Sequence, residues 1–256
     1  MIDTHCHLYT KDFEEDLPVV ISSAKVAGVH QILLPNIDID SISAMHDLES
    51  SAPDLFKSMM GLHPGSVKAD YLEQLEVIKK HLYSSDYQYI AIGEIGMDLY
   101  WDATYIEEQR IAFQRQIQWA KDLGKPIAIH TRDAFDEVFE VLEVENDDSL
   151  TGVFHCFTGN TEQAKRALGF EGFYLGIGGV VTFKNSGLDR VIESVDIENM
   201  VLETDAPYLA PHPNRGKRNE PSYLKLVLDK IASIKGMSLA DAERITTDNA
   251  RKLFAL

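Results

Sequence analysis

The sequence predicts an α/β protein of the (β/α)8 class, the TIM barrel, as a single domain over residues 1–256. Three observations carry this. Eight short apolar runs alternate with stretches of helical period, the runs are nearly continuous in apolar residues, and eight is a number that permits closure. An open doubly wound sheet is the competing arrangement.

The strand candidates, in order, are MIDTH (1–5), QILLP (31–35), KSMMGL (57–62), YIAIGE (89–94), PIAIH (126–130), GVFH (152–155), FYLGI (173–177) and MVLET (200–204). The clearest helix between them is EEQRIAFQRQIQWAKDLG. Ile111, Phe113, Ile117 and Trp119 or Ala120 share one face, Gly124 supplies the stop, and Thr104 with Glu107 forms a capping box at the start. Asp70 with Glu73 opens YLEQLEVIKKHL in a related way, and Ser238 with Asp241 opens the last helix, ADAERITTDNARKLFAL. The acidic stretch EVENDDS (143–149) reads as a solvated loop, and no Gly-rich linker or charge block divides the chain.

A composition of 45% hydrophobic and 25% charged residues is that of a globular protein with a substantial core. No apolar run approaches the ~18 residues needed to span a bilayer, and no basic-then-apolar leader opens the chain, so a cytoplasmic protein without a membrane partner is expected. Two cysteines, Cys6 and Cys156, are too few for a disulfide framework. A net charge of −17 opposes broad attraction to polyanions unless positive charge is gathered locally.

Chemistry is concentrated where the apolar runs stop. Strand 1 ends in His5 and His7, strand 3 in His63, strand 4 in Glu94, strand 5 in His130, strand 6 in His155 and strand 8 in Asp205. In a barrel these ends share one mouth. A lone histidine there is ordinarily a packing residue and a lone carboxylate ordinarily a helix cap; the coincidence of seven is what points to a site. His30, His46 and His81 lie before a strand or on helical stretches and read as surface or packing residues.

The opening MIDTHCHLY raises the question of whether HCH is three ligands in a row. Alternate side chains of an extended strand share a face, so His5 and His7 would point inward and Cys6 outward to the helices. Cys156, after His155, takes the same outward reading, and neither cysteine has an activating partner. Imidazoles with carboxylates suit zinc, manganese or iron, and carboxylate-rich positions suit magnesium. His5, His7, Glu94, His130, His155 and Asp205 are too many donors for one open catalytic ion. Two divalent ions are expected, with Glu94 bridging, His5, His7 and Asp205 completing one, and His130 and His155 the other.

The chain resembles the TatD-like metal-dependent hydrolases, a branch of the amidohydrolase superfamily with deoxyribonuclease members. The resemblance runs nearly end to end through MIDTHCHL, GLHPG (61–65), AIGEIGMD (91–98), PIAIHTRDA (126–134), GVFHCFTG (152–159) and LETDAPYLAPHPNRGKRNEP (202–221). It implies a TIM barrel with one or two divalent metals on the same six positions. It further implies hydrolysis of DNA phosphodiester bonds, often from the 3′ end, with magnesium or other divalent ions. Where relatives commonly carry an aromatic directly after the aspartate of the fourth block, this chain has Leu99 before Tyr100 and Trp101.

On this reading water activated by the ions attacks phosphorus and Asp205 takes its proton, an aid of order ~10² to 10⁴ in rate, while Glu94 holds the ions together. Arg215, Lys217 and Arg218 form a local cationic rim after strand 8, though a run of three cations is as readily a solvated loop. Arg132, Lys184 and His63 are placed to reach phosphate oxygens, and Tyr100 or Trp101 to stack on a base. Weak, salt-dependent binding of short or single-stranded DNA ends by a monomer is expected. The rival is hydrolysis of a small ester, lactone or amide on the same scaffold. Glu94 stands where some superfamily relatives carry a carboxylated lysine, which favours the phosphodiester branch. A non-catalytic binding protein would have no need of all six donors.

Overall fold

The structure, a computed structural model, describes residues 1–100 and 102–256. Among the described residues there are eight parallel strands: β1 (Ile2–Asp3), β2 (Gln31–Leu34), β3 (Phe56–Ser58), β4 (Ile92–Asp98), β5 (Ile127–Arg132), β6 (Gly152–Phe154), β7 (Phe173–Ile177) and β8 (Met200–Leu202). Regular ladders order them as β1-β2-β3 and β4-β5-β6-β7-β8. Both remaining seams are closed by backbone hydrogen bonds. Between β3 and β4, Ile90 N–H donates to Ser58 O (3.0 Å) and Gly93 N–H to Met60 O (3.1 Å). Between β8 and β1, Thr4 N–H donates to Leu202 O (2.9 Å) and Asp205 N–H to His5 O (2.9 Å). The expected barrel is the fold.

The helices α1 (Leu17–Val26), α2 (Ile42–Ser51), α3 (Tyr71–Tyr83), α4 (Ile106–Leu123), α5 (Phe135–Glu145), α6 (Thr161–Leu168) and α7 (Leu188–Ser194) each follow one strand, and α8 (Leu224–Lys235) and α9 (Leu239–Phe254) follow β8. Apolar residues facing them from the strands, such as Ile32, Leu34, Ile92, Ile127 and Leu202, pack into one continuous layer. A second, smaller cluster takes one residue from each strand or its immediate flank: Ile2, Leu33, Met59, Ala91, Ala128, Val153, Tyr174 and Val201. One residue from each of eight neighbouring strands can meet only inside the barrel. Ala250, Leu253 and Phe254 of α9 join that cluster, so the last helix plugs the end of the barrel opposite the strand C-termini.

Local signals fared unevenly. Ser238 caps α9 as expected, accepting Asp241 N–H at 3.1 Å, and Gly124 ends α4 in the left-handed region at φ 59°. The Thr104–Glu107 capping box does not form, because α4 begins only at Ile106 and Thr104 N–H turns to Asp102 Oδ1. Asp70 makes no capping bond to the α3 backbone; its carboxylate takes the side chain of Gln74 instead. Ile111 is exposed, while Gln109 and Gln116 join Phe113 and Ile117 on the buried face, where they bond the backbones of Asp98 and Leu62. The acidic stretch 143–149 begins inside α5, and Asp147 binds Lys121 at 2.9 Å. Among the described residues, no helix is long and apolar enough to cross a membrane.

Candidate metal centre

Above the interior cluster the side chains change from apolar to ionisable within two residues. Along β5 Ala128 is followed by His130, after β6 Val153 by His155, and from β8 Val201 by Glu203, each step of two keeping the same face, while Asp205 lies past the strand end in the left-handed region at φ 56°. Three donors arrive by an irregularity of their strand. The register of β4 against β5 shifts between Ile92 and Ile95, and this turns Glu94 inward although Ala91 already faces the interior. β1 stops at Asp3 and bends at Thr4, so His5 and His7 flank Cys6, which pairs with Ala206 and packs among the helix-facing residues. Asp3 fastens the bend: wholly buried, it accepts Thr204 N–H at 2.9 Å and the Thr204 hydroxyl at 2.6 Å. His5 and His7 do share a face, but by way of this bend and not as the continuation of one strand.

All six expected donors converge, and His63 joins them. Glu94 is central, and its two oxygens face different sets. Oε2 lies 3.1 Å from His5 Nε2 and 3.5 Å from His7 Nε2; Oε1 lies 2.7 Å from His130 Nδ1, 3.5 Å from His63 Nε2 and 3.6 Å from His155 Nε2. Asp205 Oδ1 stands 3.6 Å from His7 Nε2 and 3.7 Å from His155 Nε2. Donors ~2.1 Å from a tetrahedral ion are ~3.4 Å from one another, so these separations suit a small divalent cation.

The ring nitrogens turned away from Glu94 support that fit. Tyr9 donates its hydroxyl to Pro35 O at 2.5 Å, leaving its oxygen to accept from His7 Nδ1 at 3.0 Å. His155 Nδ1 lies 3.0 Å from the buried Glu203. Protons placed on these two Nδ1 atoms leave bare Nε2 lone pairs facing the carboxylates. His63 is different: its Nδ1 accepts Gly65 N–H at 2.9 Å, so the neutral ring carries its proton on Nε2, which faces His130 Nδ1 at 3.2 Å and Glu94 Oε1 at 3.5 Å. His5, His7 and Asp205 form one cage of two histidines and one carboxylate, Glu94 and His130 group with His63, and His155 stands between.

Charge is tightly coupled. Burial alone would raise Glu94 and Asp205, but the surrounding imidazoles outweigh it and hold Glu94 well below and Asp205 below the usual carboxylate range. Burial also opposes charge on His7 and His130, yet the carboxylates on either side push each up to about 9. Burial dominates at His5 and His63, which fall to about 3 and about 4 and stay neutral. Ionised carboxylates beside neutral or displaceable imidazole protons are the donor set that borderline and hard divalent ions take.

A family profile described as TatD related DNase matches residues 2–255. The chain belongs to that family. An uncharacterized metal-dependent hydrolase of Bacillus subtilis, YabD, is 39% identical over 258 residues, covering 100% of this chain and 99% of that protein. YcfH of Escherichia coli, named likewise, is 33% identical over 259 residues, covering 99% and 95%. The crystal structure of YjjV, a TatD homolog from Escherichia coli, superposes with a TM-score of 0.94 at 27% identity, covering 100% of this chain and 98% of that one. Family membership and the donor set together make the protein a metal-dependent hydrolase of the TatD family.

The rim of this TatD-family mouth is less cationic than the sequence suggests. Arg218 is held by Asp16 through two contacts of 2.8 and 2.6 Å and lies over Phe13, pinning the loop after β8 to the start of α1. Arg215 is exposed and rests on the Phe183 ring at 4.4 Å, and Lys184 is exposed beside it in the chain after β7. Arg132, last residue of β5 and on the His130 face, stacks on the half-exposed Tyr100 at 3.8 Å. Trp101 lies outside the described residues. His30 meets the N-terminus, while His46 stacks on Tyr87 and bonds Tyr89, all far in the fold from the mouth.

Four residues escaped the sequence reading: Tyr9, the partner of His7 Nδ1, and Asp98, Glu203 and Asp3. Asp98, buried, contacts His130 Nε2 at 2.9 Å, and Glu203 supports His155; both were visible as acidic residues within otherwise apolar strand ends, in step with the donors. Asp3, two residues before His5, carried the same signal. The outward reading of Cys156 is corrected: its thiol groups with His155 and Asp205 within 4.8 Å. β6 ends at Phe154 and Cys156 adopts φ 45°, so period-two alternation no longer applies there. Burial raises its thiol well above the usual range, in keeping with the absence of a nucleophilic role.

Proposed function

We propose that this chain is a deoxyribonuclease that uses two divalent ions, magnesium, manganese or zinc, to hydrolyse phosphodiester bonds at single-stranded 3′ ends. The observation that carries the reading is the arrangement of Glu94, whose two oxygens face separate imidazole sets beside one further carboxylate, Asp205. Bound ions at such a site lower the pKa of a water and stabilise charge on the phosphoryl oxygens. The chain does the rest. Asp205, ionised and at the mouth, accepts the proton of the attacking water. His63, its proton on Nε2, donates to a non-bridging phosphate oxygen. Arg132 at the end of β5 adds charge, and Tyr100 beneath it offers a face to a terminal base.

Hydrolysis of a small ester, lactone or amide is the second reading. It is favoured by one observation: with Arg218 bound to Asp16, little cationic surface is left in a chain of net charge −17 to hold a long polyanion. One experiment separates the two. End-labelled single-stranded DNA, the same strand with a 3′-terminal phosphorothioate, and a panel of esters and lactones are incubated with metal-loaded protein. Stepwise shortening that the phosphorothioate blocks is expected; turnover of the small molecules alone would replace the first reading by the second.

A further inference from the structure

The proposed hydrolysis leaves Glu203 without a task. It is wholly buried under the mouth. Its Oε1 accepts the backbone N–H of Cys156 and lies 3.0 Å from His155 Nδ1, off the axis of the ring N–H, so the latter contact is ionic more than a well-aligned hydrogen bond. Its Oε2 is buried with no hydrogen-bond partner among the described residues, and so is His5 Nδ1. The rings of His5 and His155 stack with centroids 3.3 Å apart and planes 16° apart. One nitrogen of each ring and one Glu203 oxygen lie within 4.8 Å of one another. The neighbouring strand makes room for the carboxylate: a Cβ on Gly176 would come 2.3 Å from Glu203 Oε2.

A neutral imidazole carries one proton and one lone pair, and the partner of one nitrogen decides what the other can do. A carboxylate beside Nδ1 favours the proton there and leaves Nε2 bare. We infer that Glu203 is a positioning residue for the metal centre: it keeps the proton of His155 on Nδ1, so that its Nε2 presents a lone pair towards Glu94 and Asp205. Its hold on Cys156 N–H fixes the left-handed turn that follows His155 and so orients the same ring from the backbone side. The consequence for affinity rests on the metal reading of the mouth; the tautomer is a property of the chain itself.

The test reads both. Ring 15N resonances of His155 and His5 in metal-free protein at alkaline pH, where the rings are neutral, report the tautomer directly, and calorimetric titration with Mn²⁺ alone reports affinity. Wild-type protein is expected to carry the Nδ1–H tautomer on His155, with His5 as the ring that Glu203 does not bond. Glu203→Gln is expected to lose that preference and about 10- to 100-fold in Mn²⁺ affinity. Gly176→Ala, whose methyl displaces Oε2, is expected to shift both readouts the same way. An Nε2–H tautomer on wild-type His155 overturns the inference without any variant having to fold. A Glu203→Gln protein with the wild-type tautomer and affinity overturns it as well. Wild-type protein with the expected tautomer that binds no divalent ion would instead overturn the metal reading and leave the tautomer assignment standing.

Discussion

His7 Nδ1 stands 3.0 Å from the hydroxyl oxygen of Tyr9, and that hydroxyl spends its own proton on the carbonyl of Pro35. The tyrosine can therefore only accept from the ring, which places the His7 proton on Nδ1 and its lone pair beside Glu94 and Asp205. Tyr9→Phe removes the acceptor but keeps the ring packing. A fall in divalent-metal affinity of about tenfold, the lower end of the range for partners of ligating histidines, is expected by calorimetry, with metal stoichiometry unchanged.

Protons and cations compete for the same cage. His7 and His130 are raised to about 9 and His155 to about 8, with burial the largest influence on each and overcome by the adjacent carboxylates. Below those values the rings hold protons that an incoming ion must displace; above them it need not. Affinity is thus expected to rise from pH 6 to pH 8, by about tenfold per pH unit for each proton released. Mn²⁺ titrations in two buffers of different ionisation enthalpy measure the number released, and affinity independent of pH would contradict the assignment.

Asp205 sits at the junction of His7, His155 and His5 with its carboxylate ionised. Asp205→Asn keeps the shape and removes the base. Turnover of single-stranded DNA is expected to fall by ~10² to 10⁴. Near-normal turnover would remove Asp205 from proton transfer.

His63 offers its Nε2 proton because Gly65 N–H occupies Nδ1. His63→Ala is expected to leave the metal count of the purified protein unchanged and to weaken phosphate recognition by about 1.5–3 kcal/mol, the cost of a hydrogen bond to a charged group. Metal analysis with steady-state kinetics on DNA separates this from a ligand role, which would show as lost metal.

Phe254 is 2% exposed and closes the barrel floor with Leu253 and Ala250. Phe254→Ala is expected to cost about 3–5 kcal/mol. Denaturant unfolding followed by circular dichroism measures it; a loss below 1 kcal/mol, a bound set against that same range, would mean that the last turn of α9 frays in solution.

Much of the site was legible because a parallel barrel makes the end of an apolar run a position in space. His130 and His155 follow interior residues at even steps, so their inward aim can be read from period two alone, whereas Asp205 is turned at φ 56° past the end of β8. Glu203 and Asp98 obeyed the same rule and were passed over, since a carboxylate that contacts a donor, not the ion, looks in sequence like any acidic residue near a strand end. The Thr104–Glu107 box shows the opposite error: a local pattern displaced because α4 starts one residue later, with Tyr105 at the N-cap.

By itself the sequence determined the eightfold alternation and the barrel class, which follow from residue type and spacing along the chain; it offered six candidate donors at the strand ends, and the family through resemblance of its motifs. Tertiary structure decided the rest. The bend at Asp3 and the register shift before Ile95 set the aim of His5, His7 and Glu94; the ion pair with Asp16 withdrew Arg218 from the rim; and α9 became the floor. Those outcomes depend on contacts between residues as many as two hundred positions apart, such as Asp3 with Thr204 and Asp16 with Arg218, and no periodicity along the chain encodes a distance across it.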